Sequence, residues 1–200
     1  MDKKLKKIID VLGKRYKELA DYVNREKSFK FFRGNARNNP EQKEFDDSNW
    51  EDITLPYEWD NREDVWFRRK IVVPDNINGI DINGSRIEMC GEGYISGKAI
   101  VLGHGELYID GKKIFEEKNW TDFRYRNIIS EKVSPGETHF LTIHFFKRKD
   151  YMDSYPRCLD IIEMHYSIID DIAFEIESFI EELRFGQSLP GSTDILNKVF

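Results

Sequence analysis

Apolar and polar residues alternate with a period of two along much of the middle of the chain, as they do in strands that bury one face. The run 65–73 shows this best, because four apolar residues share one face: Val65, Phe67, Ile71 and Val73. Further strands are predicted at residues 28–33, 80–90, 98–102, 106–110, 112–115, 120–127, 138–147 and 159–164. For the last of these runs, a helix stays open as an alternative.

Turn signals separate these runs at intervals of about 8–12 residues, which is typical of an antiparallel sandwich or barrel. The Asp-Gly pair at 110–111 predicts a tight hairpin, and residues 134–137 and 83–84 predict further turns. The glycines in 91–94 are interpreted as a break between strands. Strand–helix alternation is missing, so the predicted fold is mainly β, an antiparallel β-sandwich with an N-terminal and a C-terminal α-helix.

Two amphipathic helices are predicted at the ends of the sandwich. Residues 3–24 place apolar side chains at i, i+3, i+4 and i+7, with Lys and Glu on the other side. Residues 170–185 show the same spacing, and we expect Gly186 to cap that helix and Pro190 to end it. The chain is therefore divided into an N-terminal helix (1–27), a β-sandwich domain (28–170), and a C-terminal helix and linker (171–200).

No regular element is predicted between the first strand and residue 60. Residues 34–44 are polar, contain Gly and Pro, and predict a mobile loop. Residues 45–60 mix Asp, Ser and Asn with two tryptophans, and Pro56 interrupts both helix and strand patterns. Three apolar side chains are expected to pin this irregular segment against the sandwich: Trp50, Leu55 and Trp59.

Composition is that of a folded domain with a real core. Of the 200 residues, 40% are hydrophobic and 14% are aromatic. The formal net charge of -6 and the short basic runs argue against a nucleic-acid partner. No apolar run approaches the roughly 20 residues that span a bilayer, and no secretory apolar region follows Met1, so we expect no membrane partner and a cytoplasmic location.

The candidate reactive groups do not form a recognisable site in the sequence. His139 and His144 are five residues apart in one predicted strand, so they point to opposite faces and cannot chelate one ion. Cys90 and Cys158 are interpreted as reduced core thiols, because each lies in a strand-like run without a secretory signal. We therefore predict no metal ligand and no catalytic residue.

Carbohydrate binding is the chemistry for which the sequence does offer candidates. Sugar recognition needs an exposed aromatic face with planar polar groups beside it. Trp59 and Trp120 are the candidate stacking platforms, with Asp122 and Arg124 beside Trp120. Trp66 is predicted on an outer face, since it alternates with basic residues. The alternative for each tryptophan is that it packs inside the sandwich or against its neighbours.

Several motifs resemble the galactose-binding-like jelly-roll domains of glycoside hydrolases. Residues 45–50 (FDDSNW), then Leu55-Pro56, then 65–74 (VWFRRKIVVP) resemble the opening pattern of those domains. Residues 107–112 (LYIDGK), which follow the 91–93 turn, resemble their hairpin, and residues 135–143 (PGETHFLTI) resemble their late strand. The family that the chain resembles most is the N-terminal region of α-mannosidases of glycoside hydrolase family 38, from about residue 45 to 189.

This resemblance implies a jelly-roll domain that packs on a catalytic barrel, with the helix at 172–185 as the joint. In that family, the zinc ion and the nucleophilic aspartate belong to the barrel, so no cofactor and no catalytic residue are carried over to this chain. The implied partner is the catalytic α-mannosidase barrel, as a domain or a subunit, with a glycan as a second contact.

Three hypotheses follow from the residues and the resemblance. The first is a non-catalytic N-terminal domain or subunit of an α-mannosidase-like glycoside hydrolase. The alternative is a free-standing carbohydrate-binding module, and the third is a small enzyme in its own right. Whether the chain catalyses a reaction stays open, since it resembles part of an enzyme but stops where the barrel is expected to begin.

Overall fold

The computed structural model describes residues 3–24, 27–60, 63–95, 98–99, 105–117, 126–147 and 157–188. The helices are α1 (Lys3–Ala20), which continues into a 3-10 turn at Asp21–Asn24, and α2 (Ser167–Ser188). The strands are β1 (Ser28–Arg33), β2 (Glu51–Thr54), β3 (Tyr57–Trp59), β4 (Val65–Val72), β5 (Asn76–Ile77), β6 (Ile80–Asp81), β7 (Ile87–Ile95), β8 (Lys98–Ala99), β9 (Gly105–Ile109), β10 (Lys112–Glu117), β11 (Asn127–Ser130), β12 (Thr138–Phe145) and β13 (Arg157–Tyr166).

These strands form two main antiparallel sheets. The larger sheet has the order β10-β9-β12-β4-β1-β2, and the smaller sheet has the order β11-β7-β13-β3, with β8 paired to β7. Strands β5 and β6 pair separately. The predicted class, a mainly β antiparallel sandwich with a helix at each end, is confirmed.

A single apolar cluster lies between the two sheets and takes side chains from both. The inner face of β4 supplies Val65, Phe67 and Ile71 as the period of two predicted, and all three are buried. The smaller sheet supplies Met89 and Leu159, which have no exposed surface. Each large apolar side chain buried in this way stabilises the fold by about 1.5–3 kcal/mol.

The two helices pack on each other at one end of the smaller sheet. Leu19 of α1 is fully buried and belongs to the central cluster. Tyr22, in the 3-10 turn, packs edge-on against Tyr166 of β13, with ring centroids 6.2 Å apart. Ile169 anchors the first turn of α2 in the same cluster. Neither described helix combines the length and apolar character that crossing a bilayer requires.

The segment 45–60 is more regular than its sequence predicts, since it contains β2 and β3. Pro56 lies between these strands, so its missing N–H removes no hydrogen bond from either ladder. Strands β2 and β3 each occupy an edge of their sheet. The predicted role of Trp50, Leu55 and Trp59 in pinning the segment is confirmed, because all three are buried.

Two further expectations about glycine are wrong. Strand β7 runs through the glycines in 91–94 without a break, and its ladder with β13 is irregular between Leu159 and Ile161 instead. Such a bulge accommodates strand glycines while keeping the pairing. Gly186 does not cap α2, because the helix continues to Ser188. The pairing of β13 with β7 also excludes the helical alternative for 159–164.

The predicted turns are confirmed where the structure describes them. Asp110 and Gly111 have φ of 49° and 82°, as a two-residue hairpin turn between β9 and β10 requires. The Glu137 N–H donates to the Ser134 carbonyl at 3.1 Å, and the φ of Gly84 is 82°. Of the predicted strands 98–102 and 120–127, only residues 98–99 and 126–127 lie in the described ranges. Residues 98–99 form β8 and Asn127 begins β11, whereas Arg126 lies just before that strand.

Candidate functional site

Trp59, predicted as a sugar-stacking platform, lies inside the core. Its side chain is 2% exposed, and its ring stacks on Phe145 with centroids 5.2 Å apart. Phe67 meets the same indole edge-on, also at 5.2 Å. Since so little of the ring reaches solvent, Trp59 offers no face to a sugar, and the structure corrects this assignment in favour of core packing.

The other three predicted glycan-binding residues, Trp120, Asp122 and Arg124, lie outside the described residues, and their role stays a prediction. Trp66 does lie on the face of β4 opposite Phe67, as expected. It is nevertheless 8% exposed, and it stacks on His144 of β12 with ring centroids 3.7 Å apart. This outer face of the larger sheet therefore carries packed aromatic side chains.

A loop segment, residues 40–47, lies over that outer face and contacts Arg68. The Arg68 guanidinium is buried and donates to the Asp47 carboxylate at 2.6 Å. It also donates to the backbone carbonyls of Pro40, Gln42 and Lys43, at 3.2, 2.9 and 3.2 Å. The segment 40–47, part of which was predicted to be a mobile loop, is therefore held on the larger sheet by the Arg68 side chain, and Lys43 Nζ adds a hydrogen bond to the Thr138 carbonyl of β12 at 3.1 Å.

A second group of polar side chains lies on the outward face of the smaller sheet. Met89 and Met164 point into the core, whereas the residues that alternate with them point outward. We call the outward group, together with two residues that approach it from outside the sheet, the His165 cluster: Glu88, Cys90, Arg126, Glu163, His165 and Asp170.

Three different donor atoms meet in the His165 cluster. Cys90 on β7 is the direct cross-strand partner of Glu163 on β13, and His165 is two residues further along β13. Cys90 Sγ lies 3.5 Å from Glu163 Oε2 and 3.4 Å from His165 Nε2. His165 Nε2 and Glu163 Oε2 are 3.4 Å apart. One sulfur, one nitrogen and one oxygen thus form a nearly equilateral triangle.

The other ring nitrogen of His165 faces a network of charged groups. Nδ1 lies 3.5 Å from Asp170 Oδ1 and 3.1 Å from Arg126 Nη2. Arg126 also donates to Asp170 Oδ2 at 2.6 Å and to Glu88 Oε2 at 3.2 Å. Asp170 lies in the first turn of α2, so the start of this helix is tied to the sheet through these contacts.

These contacts shift the protonation of His165 and Asp170. Hydrogen bonds from the ring to Asp170 and to Cys90 raise the pKa of His165 to about 10, against the opposing effects of burial and of Arg126. For Asp170, burial favours the neutral form, but hydrogen bonds from His165 and Arg126 hold its pKa below the ordinary value. The pair is therefore charged at neutral pH when nothing else binds.

A groove of about 480 Å³ leads to the His165 cluster from the side of the two helices. Tyr16 and Ala20 of α1 form part of its wall, and Phe174 of α2 lies in another part. Glu163, His165 and Asp170 line its polar end. The cluster is thus open to small molecules or ions from solvent.

The donor atoms of this cluster favour binding a cation over nucleophilic catalysis. A thiol beside an imidazole is the usual arrangement of a cysteine nucleophile and its base. In this cluster, however, the Glu163 carboxylate also lies 3.5 Å from the sulfur, so three donor atoms of different kinds converge. Such a set suits a metal ion, which can bind a sulfur, a nitrogen and an oxygen at once.

Sequence reasoning missed this cluster because its members are distant along the chain. Cys90 is 73 residues from Glu163 and 75 residues from His165. Only the Glu-x-His spacing in β13 gave a local signal, since residues two apart in a strand share a face. The partner strand that brings Cys90 to them follows from the fold and not from the local pattern.

Both cysteines are free, as predicted, but Cys90 is not a core thiol, because it is only partly buried on the outer face of the smaller sheet. We expect the buried Cys158 to be chemically inert in the folded protein. Burial, together with the carboxylates of Asp160 and Glu58, raises the pKa of Cys158 to about 11. In the variant Cys90→Ser, modification by a disulfide reagent at pH 8 should be about 100-fold slower than after unfolding in urea, because so little thiolate is present. Equal rates in the folded and unfolded protein would show that the thiol is accessible.

The sequence matches no protein family and none of the curated proteins at a significant level. Its fold does match solved structures. A glycosyl hydrolase family 2 member from Bacteroides cellulosilyticus matches with a TM-score of 0.50 and 13% identity over 70% of this chain and 20% of its own. A β-glycosidase from Bacteroides vulgatus matches with a TM-score of 0.48 and 11% identity, over 72% of this chain and 20% of its own, which is too weak to add to the argument.

The chain spans about a fifth of the length of these two matching structures. At such low identity, the similarity establishes the fold and nothing about activity. What is shown is therefore that this chain has a β-sandwich of the kind present as one part of a family 2 glycosyl hydrolase.

Proposed function

We propose that this chain is a non-catalytic accessory domain of a glycoside hydrolase and that it packs on the catalytic domain of that enzyme through α2. The observation that carries the proposal is the exposure of large apolar side chains on α2. Phe174 is 69% exposed and Phe185 is 67% exposed. They are eleven residues apart, which is about three helical turns, so they lie on the same side of the helix.

This side of α2 is separate from the side that the helix uses within the domain. Ile180 is buried at 6% exposure, and Ile176 packs against the central cluster. An amphipathic helix needs only one apolar side to dock on its own domain. Phe174 and Phe185 therefore serve a second contact, and exposed apolar patches of this kind are typical of protein interfaces. Phe179, which is 47% exposed, is a third exposed phenylalanine of α2.

The fold supports a glycoside hydrolase as the partner. The matching family 2 glycosyl hydrolase carries this sandwich as about a fifth of a larger chain. The finer assignment, to an α-mannosidase of family 38, rests on the motifs of the sequence. Two of those motifs, which resemble the jelly-roll domains of several glycoside hydrolases, form β4 (65–72) and the hairpin of β9 and β10 (107–112).

The alternative function, a free-standing carbohydrate-binding module, gains no support from the described residues. Trp59 is buried, and Trp66 is stacked within a protein layer. We therefore keep the accessory domain as the proposed function.

The proposal is tested by mixing the purified chain with an α-mannosidase-type catalytic barrel encoded in the same genome. Size-exclusion chromatography with light scattering should show a complex with one copy of each. The double variant Phe174→Gln, Phe185→Gln should bind at least about 30-fold more weakly, since interface aromatics often contribute 2 kcal/mol or more.

The matched control is Val72→Gln, which changes an apolar side chain that is 50% exposed and lies at the end of β4. It should bind as the unchanged chain does, and circular dichroism should show that both variants fold. If the unchanged chain ignores the barrel, or if the double variant binds it equally well, the proposed docking surface is wrong.

A further inference from the structure

We propose that Cys90, Glu163 and His165 form a zinc-binding site on the outer face of the smaller sheet. This site belongs to the chain itself and goes beyond the accessory role proposed above. The local sequence pattern predicts no metal ligand, because the two histidines that share a strand point to opposite faces. The folded sheet instead brings together donors from two strands that pair in register.

The first support is the size of the donor triangle. Zinc binds thiolate at about 2.3 Å, imidazole at about 2.0–2.1 Å and carboxylate at about 2.0–2.2 Å, so tetrahedral geometry sets neighbouring ligand atoms about 3.3–3.7 Å apart. The three observed separations are 3.4, 3.4 and 3.5 Å. The side chains therefore already describe one face of a zinc tetrahedron without rearrangement.

The second support is the kind of donor. Calcium and magnesium prefer oxygen ligands, whereas thiolate with imidazole is typical of zinc. Each of the three residues is partly buried, which limits competition from water while leaving a path for the ion. Three protein ligands leave the fourth tetrahedral position open, as in zinc sites that bind water or an external ligand.

The third support is the group behind the histidine. When Nε2 holds the metal, the ring proton resides on Nδ1, and Asp170 Oδ1 at 3.5 Å is the acceptor within its reach, although the Arg126 Nη2 donor lies nearer at 3.1 Å. A carboxylate in this position orients a histidine ligand and fixes its tautomer. Arg126 holds that carboxylate in place through its 2.6 Å contact with Oδ2. Metal binding displaces two protons, one from the Cys90 thiol and one from His165 Nε2, and both leave to solvent.

The test uses the full chain, freed of metal by a chelator and titrated with zinc chloride in a calorimeter. We expect one zinc per chain and a rise in the thermal unfolding midpoint when zinc is added. Cobalt(II) in place of zinc should give the near-ultraviolet absorption of a thiolate–cobalt bond. In the same titration, Asp170→Asn should weaken zinc binding about 10–100-fold, the usual effect of losing such a carboxylate.

Variants and a chemical probe separate the site from adventitious binding. Cys90→Ser and His165→Gln should each lose more affinity than Asp170→Asn, while the control Cys158→Ser should keep it. Zinc should also slow the alkylation of Cys90 in the unchanged chain, a readout that needs no variant. Zinc binding that survives Cys90→Ser, or alkylation of Cys90 at an unchanged rate, would overturn the site.

Discussion

Replacing Arg68 with methionine should destabilise the folded chain by about 3 kcal/mol, because it removes the only cation that pairs with Asp47 among the described residues and takes the guanidinium donor away from three carbonyls, including the buried one of Pro40. Methionine fills much of the same space, so the loss comes from charge and hydrogen bonding. The Arg68 guanidinium also lies 4.3 Å from the centre of the Phe140 ring, and this favourable contact is lost as well. Urea unfolding monitored by tryptophan fluorescence measures the change.

The matched control for Arg68→Met is Arg68→Lys. Lysine keeps the charge and can reach Asp47, but it lacks the planar fork that bonds several carbonyls at once. Its loss of stability should be smaller than that of the methionine variant. Hydrogen exchange should show that residues 40–47 lose protection in both variants, more strongly with methionine. If the stability and the protection of this segment are unchanged in Arg68→Met, the clamp does not hold the segment.

The second large effect is expected at Trp59. The variant Trp59→Ala should lose about 3–5 kcal/mol, because it leaves a cavity between Phe67 and Phe145. Trp59→Phe should lose much less, since a ring still fills the site and the buried indole N–H, which has no hydrogen-bond partner among the described residues, is removed. Chemical denaturation of the three proteins checks the order.

The same variants distinguish core packing from sugar stacking at this position. If Trp59→Ala retained the stability of the unchanged chain and instead lost binding to a mannoside, the stacking interpretation would return and the core assignment would fail. The structure predicts the opposite, a large loss of stability.

The parts of the fold that the sequence predicts are those fixed by local patterns. The alternation in β4 and β12 needs no knowledge of other strands, and neither does the Asp-Gly turn between β9 and β10. The sequence does not predict the short strands β2 and β3, because each is an edge strand of only three or four residues close to Pro56. Pairing with a neighbouring strand keeps each of them extended, although their composition does not favour a strand.

The glycines in β7 show that a local pattern can also predict a break where the folded chain has none. Locally, the run 91–94 signals a turn, but β13 pairs along the full length of β7 and keeps it extended. Tertiary pairing decides the conformation of such ambiguous runs. The glycines are accommodated where the β13 ladder shifts.

The candidate site was the least accessible to sequence reasoning. Alternation placed Arg68 on the outer face of β4, but nothing local indicates that residues 40–47 fold back over it. Likewise, Glu163 and His165 share a face by the period of two, whereas Cys90 joins them only through the pairing of β7 with β13. Contacts between residues this far apart depend on the topology, which periodicity does not specify.

The most direct measurement on the proposed docking role is hydrogen exchange of the chain with and without the catalytic barrel. We expect added protection confined to α2, centred between Phe174 and Phe185, while the strands of the larger sheet exchange as before. Protection that instead falls on the outer face of the larger sheet, or no added protection at saturating barrel, would contradict it.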